Sequence, residues 1–191
     1  MRHGSNHFCE VVEERDAPLF QDSEIWKTFY YQDKYLQQGL LHQLKGMHRC
    51  SVMIQQYVIQ SGLKYDYVIR LRPDMAMYEP MAPISSLLSQ RNVIKHVDFF
   101  VCAGGEQDWF GVGYYDSMIP YLQRYLALQT VGNELNLSFF DPIDNTSKRV
   151  WTAELFLVRY MKTYFNVTLE GDKRIPGCLV RPLSRRSPSD P

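Results

Sequence analysis

The segment 65–74, with the sequence YDYVIRLRPD, constrains the fold of this chain more than any other stretch. Tyr67, Ile69 and Leu71 alternate with Val68, Arg70 and Arg72. Successive side chains of a β-strand point to opposite faces, so this alternation predicts a strand with one wholly apolar face. Pro73 has no N–H group to donate and fixes its own φ, and it therefore ends the strand. Asp74 is thus held at the strand end.

Two arginines and an aspartate gather at the carboxyl end of this predicted strand. In open α/β sheets, ligands bind in the crevice beyond the carboxyl ends of the strands. Guanidinium groups pair with phosphate and carboxylates bind divalent metals, so Arg70, Arg72 and Asp74 suit a phosphate and metal site. Alternatively, the arginines pair with nearby carboxylates at a sheet edge, and Pro73 opens an ordinary turn. Both interpretations remain open from this segment alone.

The composition is that of one domain with balanced charge. Residues 1–183 of the 191 are predicted to form a single α/β domain, followed by a polar, disordered tail over 184–191. The 21 Lys and Arg residues balance the 21 Asp and Glu residues, so no net field favours nucleic acid or an anionic membrane. No apolar run reaches the roughly 20 residues of a membrane span. The four cysteines are far apart and are expected to be buried free thiols.

Three of the six asparagines match the acceptor pattern for N-glycosylation: Asn136, Asn145 and Asn166. This is more than chance usually gives and indicates a lumenal glycoprotein. The N-terminus, however, carries no apolar signal segment. A fragment of a longer protein of the Golgi or secretory lumen reconciles the two observations. The alternative is a cytoplasmic protein with coincidental matches.

The order of periodic segments predicts an α/β layer protein. Two helices are predicted from about residue 22 to residue 61, with a break at Gly39 or Gly46 and an end at Gly62. Residues 132–149 show little periodicity and are predicted to be a surface loop. Further helices are predicted over 84–90, 114–129 and 151–165, and short strands over 92–95, 97–102, 110–113, 167–169 and 178–181.

Two further segments give the chain a resemblance to a known family. They are GGEQDWFGVG over 104–113 and WTAE over 151–154. Together with the Arg-x-Arg-Pro-Asp strand end, and in this order, they resemble a group of poorly characterised eukaryotic proteins with a glycosyltransferase-like domain. The similarity covers about residues 43–167. It implies a nucleotide-diphospho-sugar transferase fold of the A type, which is a Rossmann-like sheet with helices on both faces.

The resemblance also implies ligands. Enzymes of this kind take a nucleotide-sugar donor and a glycan or other hydroxyl acceptor, and a divalent cation bridges a carboxylate to the donor diphosphate. Asp74 matches that carboxylate, and Arg70 and Arg72 are placed to bind phosphate. The usual Asp-x-Asp is here Arg72-Pro73-Asp74, so one metal ligand is missing. Either Mn²⁺ or Mg²⁺ binds through the one carboxylate with waters and phosphate oxygens, or the arginines replace the metal.

The resemblance assigns the acceptor side to the second segment. Trp109 offers its ring face to a sugar, Asp108 can hold sugar hydroxyls, and Gly104 and Gly105 let the backbone approach a ligand. Asp108 or Glu154 is then the base that deprotonates the acceptor hydroxyl. The structural alternatives are a hairpin loop with a half-buried Trp109, and a Glu154 that interacts with the dipole of its own helix.

Two functions follow from these observations. The first is a hexosyltransferase-type enzyme that transfers a sugar from a nucleoside-diphosphate sugar to a hydroxyl group. The second is a non-catalytic domain that retains the transferase scaffold and binds a glycan or a protein partner. The incomplete carboxylate motif favours the second function. So does an expected truncation of the nucleotide subsite, for which only residues 8–12 offer a first strand.

Overall fold

The computed structural model describes residues 34–73, 75–98, 109–130, 139–141, 146–148 and 153–179. The helices in these ranges are α1 (Lys34–Ser61), α2 (Ile84–Leu87), α3 (Tyr115–Thr130) and α4 (Ala153–Phe165). The strands are β1 (Tyr67–Leu71), β2 (Met75–Met77), β3 (Val93–Val97), β4 (Phe110–Tyr114), β5 (Phe139–Asp141), β6 (Thr146–Lys148), β7 (Thr168–Asp172) and β8 (Gly177–Leu179). The expected first strand, the expected start of the first helix and the C-terminal tail lie outside these ranges.

The central element is a mixed four-stranded sheet in the order β1-β4-β3-β7. Strand β4 pairs antiparallel with both β1 and β3, whereas β3 and β7 run parallel. Strands β2 and β8 form one separate antiparallel pair, and β5 and β6 form another. The protein therefore has an α/β fold with a mixed open sheet and flanking helices, and the prediction of the fold class is confirmed at this level.

The two faces of the sheet pack against different layers. On one face, residues of α1, α3 and α4 form a core with Val68, Ile94 and Leu169 of the sheet. On the other face, residues of β2 and α2 pack against Phe110 and Val112 of β4. The three long helices thus share one face, and among the helices of the described ranges only the short α2 contributes to the second core. No helix among the described residues combines the length and apolarity needed to cross a membrane.

Helix α1 is continuous over 28 residues and passes through Gly39 and Gly46, so the predicted break at either glycine is wrong. An internal glycine costs a helix about 1 kcal/mol relative to alanine. The burial of apolar residues on neighbouring turns, such as Leu44, outweighs this cost. The predicted end at Gly62 is confirmed, because its φ is +69° and its N–H donates to the carbonyl of Val58 at 3.0 Å.

Glycines on β4 allow α3 to pack directly on the sheet. A Cβ atom on Gly113 would lie 3.0 Å from Cγ1 of Ile94 and 3.1 Å from Cγ of Met118. A Cβ atom on Gly111 would lie 3.4 Å from the ring of Tyr121. The space at Gly113 is therefore already filled by neighbouring side chains, whereas a Cβ at Gly111 would make an ordinary van der Waals contact.

Two regions differ from the sequence-based expectation. The segment predicted as a loop between α3 and α4 contains the strand pair β5 and β6, in which Phe139 lies opposite Lys148. Strands of three residues are too short for periodicity to reveal. Strand β3 is also continuous through residue 96, where two separate strands had been expected. Its parallel pairing with β7 holds all five residues in one ladder.

Candidate functional site

The wholly apolar face of β1 is its exposed face. Ile69 and Leu71 are 47% and 50% exposed, whereas Val68 and Arg70 are each only 8% exposed. Apolar side chains usually face a core, so the alternation alone suggests the opposite orientation. The reason lies in the position of β1. It is an edge strand of the described sheet, and the helical layer covers the face that carries Val68 and Arg70.

A cavity of about 710 Å³ lies between α1 and β1. Its walls come from one face of α1 between His42 and Ile54, from residues 68–73, and from Leu122 of α3. The contributing positions of α1 are 42, 43, 46, 47, 50 and 54, which is the spacing of a single helix face. The volume is typical of small-molecule sites. This space is called the Arg70 cavity below.

Arg70 is one of the residues that line this cavity. The side chain is more than nine-tenths buried, and its Nη1 atom has no hydrogen-bond partner. Arg70 lies opposite Gly111 in the β1–β4 register, and glycine has no side chain to offer. Buried polar groups normally have partners, so the Nη1 atom of Arg70 indicates a candidate place for a ligand.

The Arg-x-Arg-Pro and Asp-Trp-Phe segments meet at the carboxyl end of β1. The N–H of Arg72 donates to the carbonyl of Trp109 at 3.0 Å, one position beyond the last β1–β4 pair. Pro73 then opens a turn in which the N–H of Met75 donates to the carbonyl of Arg72 at 3.1 Å. The predicted strand end at Pro73 is therefore confirmed. Arg72 and Pro73 both line the Arg70 cavity.

Two other predicted site residues lie elsewhere in the fold. Trp109 is half-buried and packs against the second core, on the face of the sheet opposite to Arg70. This position agrees with its structural interpretation. Glu154 lies in the first turn of α4, which packs against α3 and against β7 at the opposite sheet edge from β1. Neither residue is part of the cavity wall as far as the structure describes it.

The remaining predicted residues, Asp74, Asp108, Gly104 and Gly105, lie outside the described ranges and stay predictions. Within those ranges, no three side chains of His, Cys, Asp or Glu come close enough together to hold a metal ion. The described lining of the Arg70 cavity fits an anion and does not by itself fit a metal. The divalent cation and its ligand Asp74 therefore stay predictions.

Sequence reasoning did not identify the α1 wall of the cavity. His42, Gln43 and Met47 lie on one helical face, but the pattern of the helix gives no sign that part of this face borders a cavity. Cys50 lies on the same face and is an exposed free thiol, so the expectation of burial is wrong for this cysteine. An apolar helix face indicates that the helix packs against the rest of the protein. It does not indicate where the packed elements leave a cavity between them.

A carboxyl group away from the cavity shows how the chain normally compensates a buried charge. Arg174 donates to Asp172 from Nε at 2.9 Å and from Nη2 at 2.6 Å, and its backbone N–H donates at 3.0 Å. The hydrogen bonds from the guanidinium hold the pKa of the Asp172 carboxyl below its usual value. Arg70 has no comparable arrangement at its Nη1 atom.

The fold and the cavity together define an α/β protein with a candidate anion-binding site at a sheet edge. No protein-family model, curated protein or solved structure matches the chain. The likeness to glycosyltransferase-like proteins therefore depends on the three sequence segments alone.

Proposed function

We propose that this chain is a glycosyltransferase-like protein that binds a nucleoside-diphosphate sugar at the arginine end of the Arg70 cavity and transfers the sugar to a hydroxyl acceptor. The observation that carries the proposal is the buried Arg70 guanidinium, whose Nη1 atom lacks a hydrogen-bond partner. A buried charge without a partner is costly, and a phosphate group supplies both the opposite charge and the acceptor oxygens.

The meeting of the two sequence segments supports transfer rather than anion binding alone. Arg72 of the first segment is hydrogen-bonded through its backbone to Trp109 of the second. The backbone of the segment to which the resemblance assigns the acceptor therefore reaches the arginine end of the cavity, whereas the Trp109 side chain lies on the other face of the sheet. In this arrangement the guanidinium groups stabilise the negative charge that develops on the leaving diphosphate.

Asp108 is the better candidate for the base. It directly precedes Trp109, whose carbonyl is bonded to Arg72 at the carboxyl end of β1. Glu154 instead belongs to a helix that packs at the opposite sheet edge. Asp74 remains the candidate ligand for a divalent cation, which would supply further positive charge to the diphosphate.

Thermal unfolding with UDP, GDP and ADP, each with and without Mn²⁺, tests donor binding. A ligand that binds only the folded state raises Tm by mass action. We expect one of the nucleotides to raise Tm, Arg72→Gln to reduce the rise and Asp74→Asn to remove its Mn²⁺-dependent part. Arg91→Gln is the matched control, because Arg91 is exposed and does not line the cavity. A Tm that responds to none of the nucleotides refutes the proposal.

The second candidate function is a non-catalytic domain that binds a glycan or a protein partner. It is favoured by the described lining of the cavity, which supplies two arginines and no aspartate or glutamate. A catalytic domain needs a base within reach of the acceptor hydroxyl. Incubation with the nucleotide sugar of the best-binding nucleotide separates the two candidates, because only an enzyme releases nucleoside diphosphate when an acceptor is added.

The exposed Asn166 supports a location in the secretory lumen. It lies in the turn between α4 and β7 with a φ of +51°, in the left-handed region that asparagine tolerates. Its side chain is therefore accessible to a glycan. We expect chain produced in the secretory pathway of eukaryotic cells to lose mass on enzymatic removal of N-glycans, and Asn166→Gln to carry one glycan fewer. An unchanged glycan count in this variant refutes the assignment.

A further inference from the structure

The lining of the Arg70 cavity combines polar and apolar side chains. Arg70 and Arg72 come from the β1 segment, and His42 and Gln43 come from α1. Apolar side chains from the same two elements and from α3 make up most of the remaining described lining.

The apolar part of the described lining offers almost no hydrogen bonds. It includes Met47, Ile54, Val68 and Leu122, all of which have hydrocarbon or thioether side chains. A nucleoside has ribose hydroxyls and polar base edges, and these groups lose their hydrogen bonds to water when they enter such a space. A hydrocarbon chain loses nothing in the same transfer and gains from leaving water.

Arg70 supplies a charge beside this apolar lining. It lies on β1 between Val68 and Arg72, and all three residues line the cavity. The part of α1 between His42 and Ile54 spans about 18 Å at 1.5 Å per residue, which accommodates a chain of moderate length. The combination of one buried cation and an apolar extension is complementary to an amphiphilic anion.

We propose that the Arg70 cavity binds an anionic amphiphile, namely a hydrocarbon chain that ends in a phosphate or a carboxylate group. The head group lies at Arg70 and Arg72, and the chain lies along Met47 toward Ile54. This proposal rests on the proposed function in one respect, since both require the arginine end of the cavity to bind an anion. It goes beyond that function by assigning the apolar part of the lining to a hydrocarbon chain, and the two ligands would compete for the arginines.

Cys50 provides a reporter for occupancy, because it is an exposed free thiol in the cavity wall. In a variant with the other three cysteines replaced by serine, we would measure the rate of Cys50 alkylation by N-ethylmaleimide. The probes are decyl phosphate, decanoate, decanol and UDP, each below its micellar concentration. If bound ligand blocks the thiol, the rate falls by the factor 1 + [L]/Kd, which is about tenfold at ten times Kd.

Two pairs of variants test the geometry. Arg70→Met removes the cation, and Arg91→Met is its control on an exposed arginine outside the lining. Gly46→Leu places a side chain in the cavity wall at a helix position with no neighbour within 4 Å of the added Cβ, so folding should be preserved. Gly39→Leu is the matched control, since it is equally unobstructed and does not line the cavity.

We expect decyl phosphate or decanoate to protect Cys50 in the wild-type cavity and in both controls, and to lose this effect in Arg70→Met and Gly46→Leu. The more effective of the two probes identifies the head group as phosphate or carboxylate. Equal protection by decanol overturns the role of the cation. Protection by UDP alone overturns this inference and leaves the proposed function standing. If decyl phosphate protects Cys50 and no nucleotide changes Tm, this inference stands and the proposed function is refuted. If no probe protects Cys50, the amphiphile site is refuted.

Discussion

Replacement of Arg70 by methionine gives the most direct test of the idea that this residue serves a ligand and not the fold. Methionine keeps most of the hydrocarbon stem and removes the guanidinium. A buried donor without a partner costs about 1–3 kcal/mol, and Nη1 of Arg70 is such a donor. Without ligand, we therefore expect the free energy of unfolding to rise by about 1 kcal/mol in Arg70→Met. For a chain of this size, that corresponds to a rise in Tm of about 2–4 °C.

Arg124 supplies the comparison, because it is also buried and its Nη1 atom, unlike that of Arg70, has a hydrogen-bond partner. It is 1% exposed, its Nη1 donates to the carbonyl of Tyr121 at 2.9 Å, and its guanidinium carbon lies 4.6 Å from the Tyr121 ring centroid. Hydrogen bonds that involve charged groups contribute about 1.5–3 kcal/mol, so Arg124→Met should lower the free energy of unfolding by about 2 kcal/mol. The two substitutions make the same chemical change and are expected to have opposite signs.

Urea unfolding followed by circular dichroism measures both variants, and the slope with denaturant should stay unchanged if only stability differs. If Arg70→Met is destabilised as much as Arg124→Met, Arg70 stabilises the fold and the idea that it serves a ligand is refuted. A second measurement adds the best anionic ligand. The wild-type protein should gain stability from it by mass action, and Arg70→Met should gain much less.

Two further predictions concern the fold that supports the cavity. Gly113→Ala should lower the free energy of unfolding by about 1–3 kcal/mol, because the added methyl group overpacks against Ile94. Gly39→Ala should raise it by about 0.5–1 kcal/mol, because the added methyl group meets nothing within 4 Å. Chemical denaturation measures both variants, and equal effects would contradict the prediction. The pKa of Asp172 is lowered in the folded state, so its bonds to Arg174 stabilise the protein above the ordinary value of 3.8 and are lost as the pH falls through the lower folded value. The Tm difference between wild type and Asp172→Asn should therefore be largest near neutral pH and shrink below pH 3.8, and a constant difference would exclude this linkage.

Several features of the fold are determined by local sequence. The alternation around Ile69 predicts the strand β1, Pro73 predicts its end, and Gly62 predicts the end of α1. Each of these depends on the conformational preferences of one residue or on a short period, and neighbouring residues are enough to set them.

Other features depend on competition between distant parts of the chain. Helix α1 continues through Gly46 because burial of its apolar turns outweighs the local cost of glycine. The short strands β5 and β6 exist through their mutual pairing, which a scan for periodicity does not detect. The orientation of β1 is set in the same way, since the position of the helical layer decides that Arg70 is buried and Ile69 is exposed.

The candidate site shows the same division. The sequence by itself determined that two arginines and a proline end one strand and that an Asp-Trp-Phe segment begins another. Only the tertiary structure decided that these ends are bonded through Arg72 and Trp109, and that Glu154 lies on a helix at the other sheet edge. It also decided that α1 and β1 enclose a cavity around Arg70. A cavity is the space between elements, and its shape follows from how they pack against each other, which no local preference specifies.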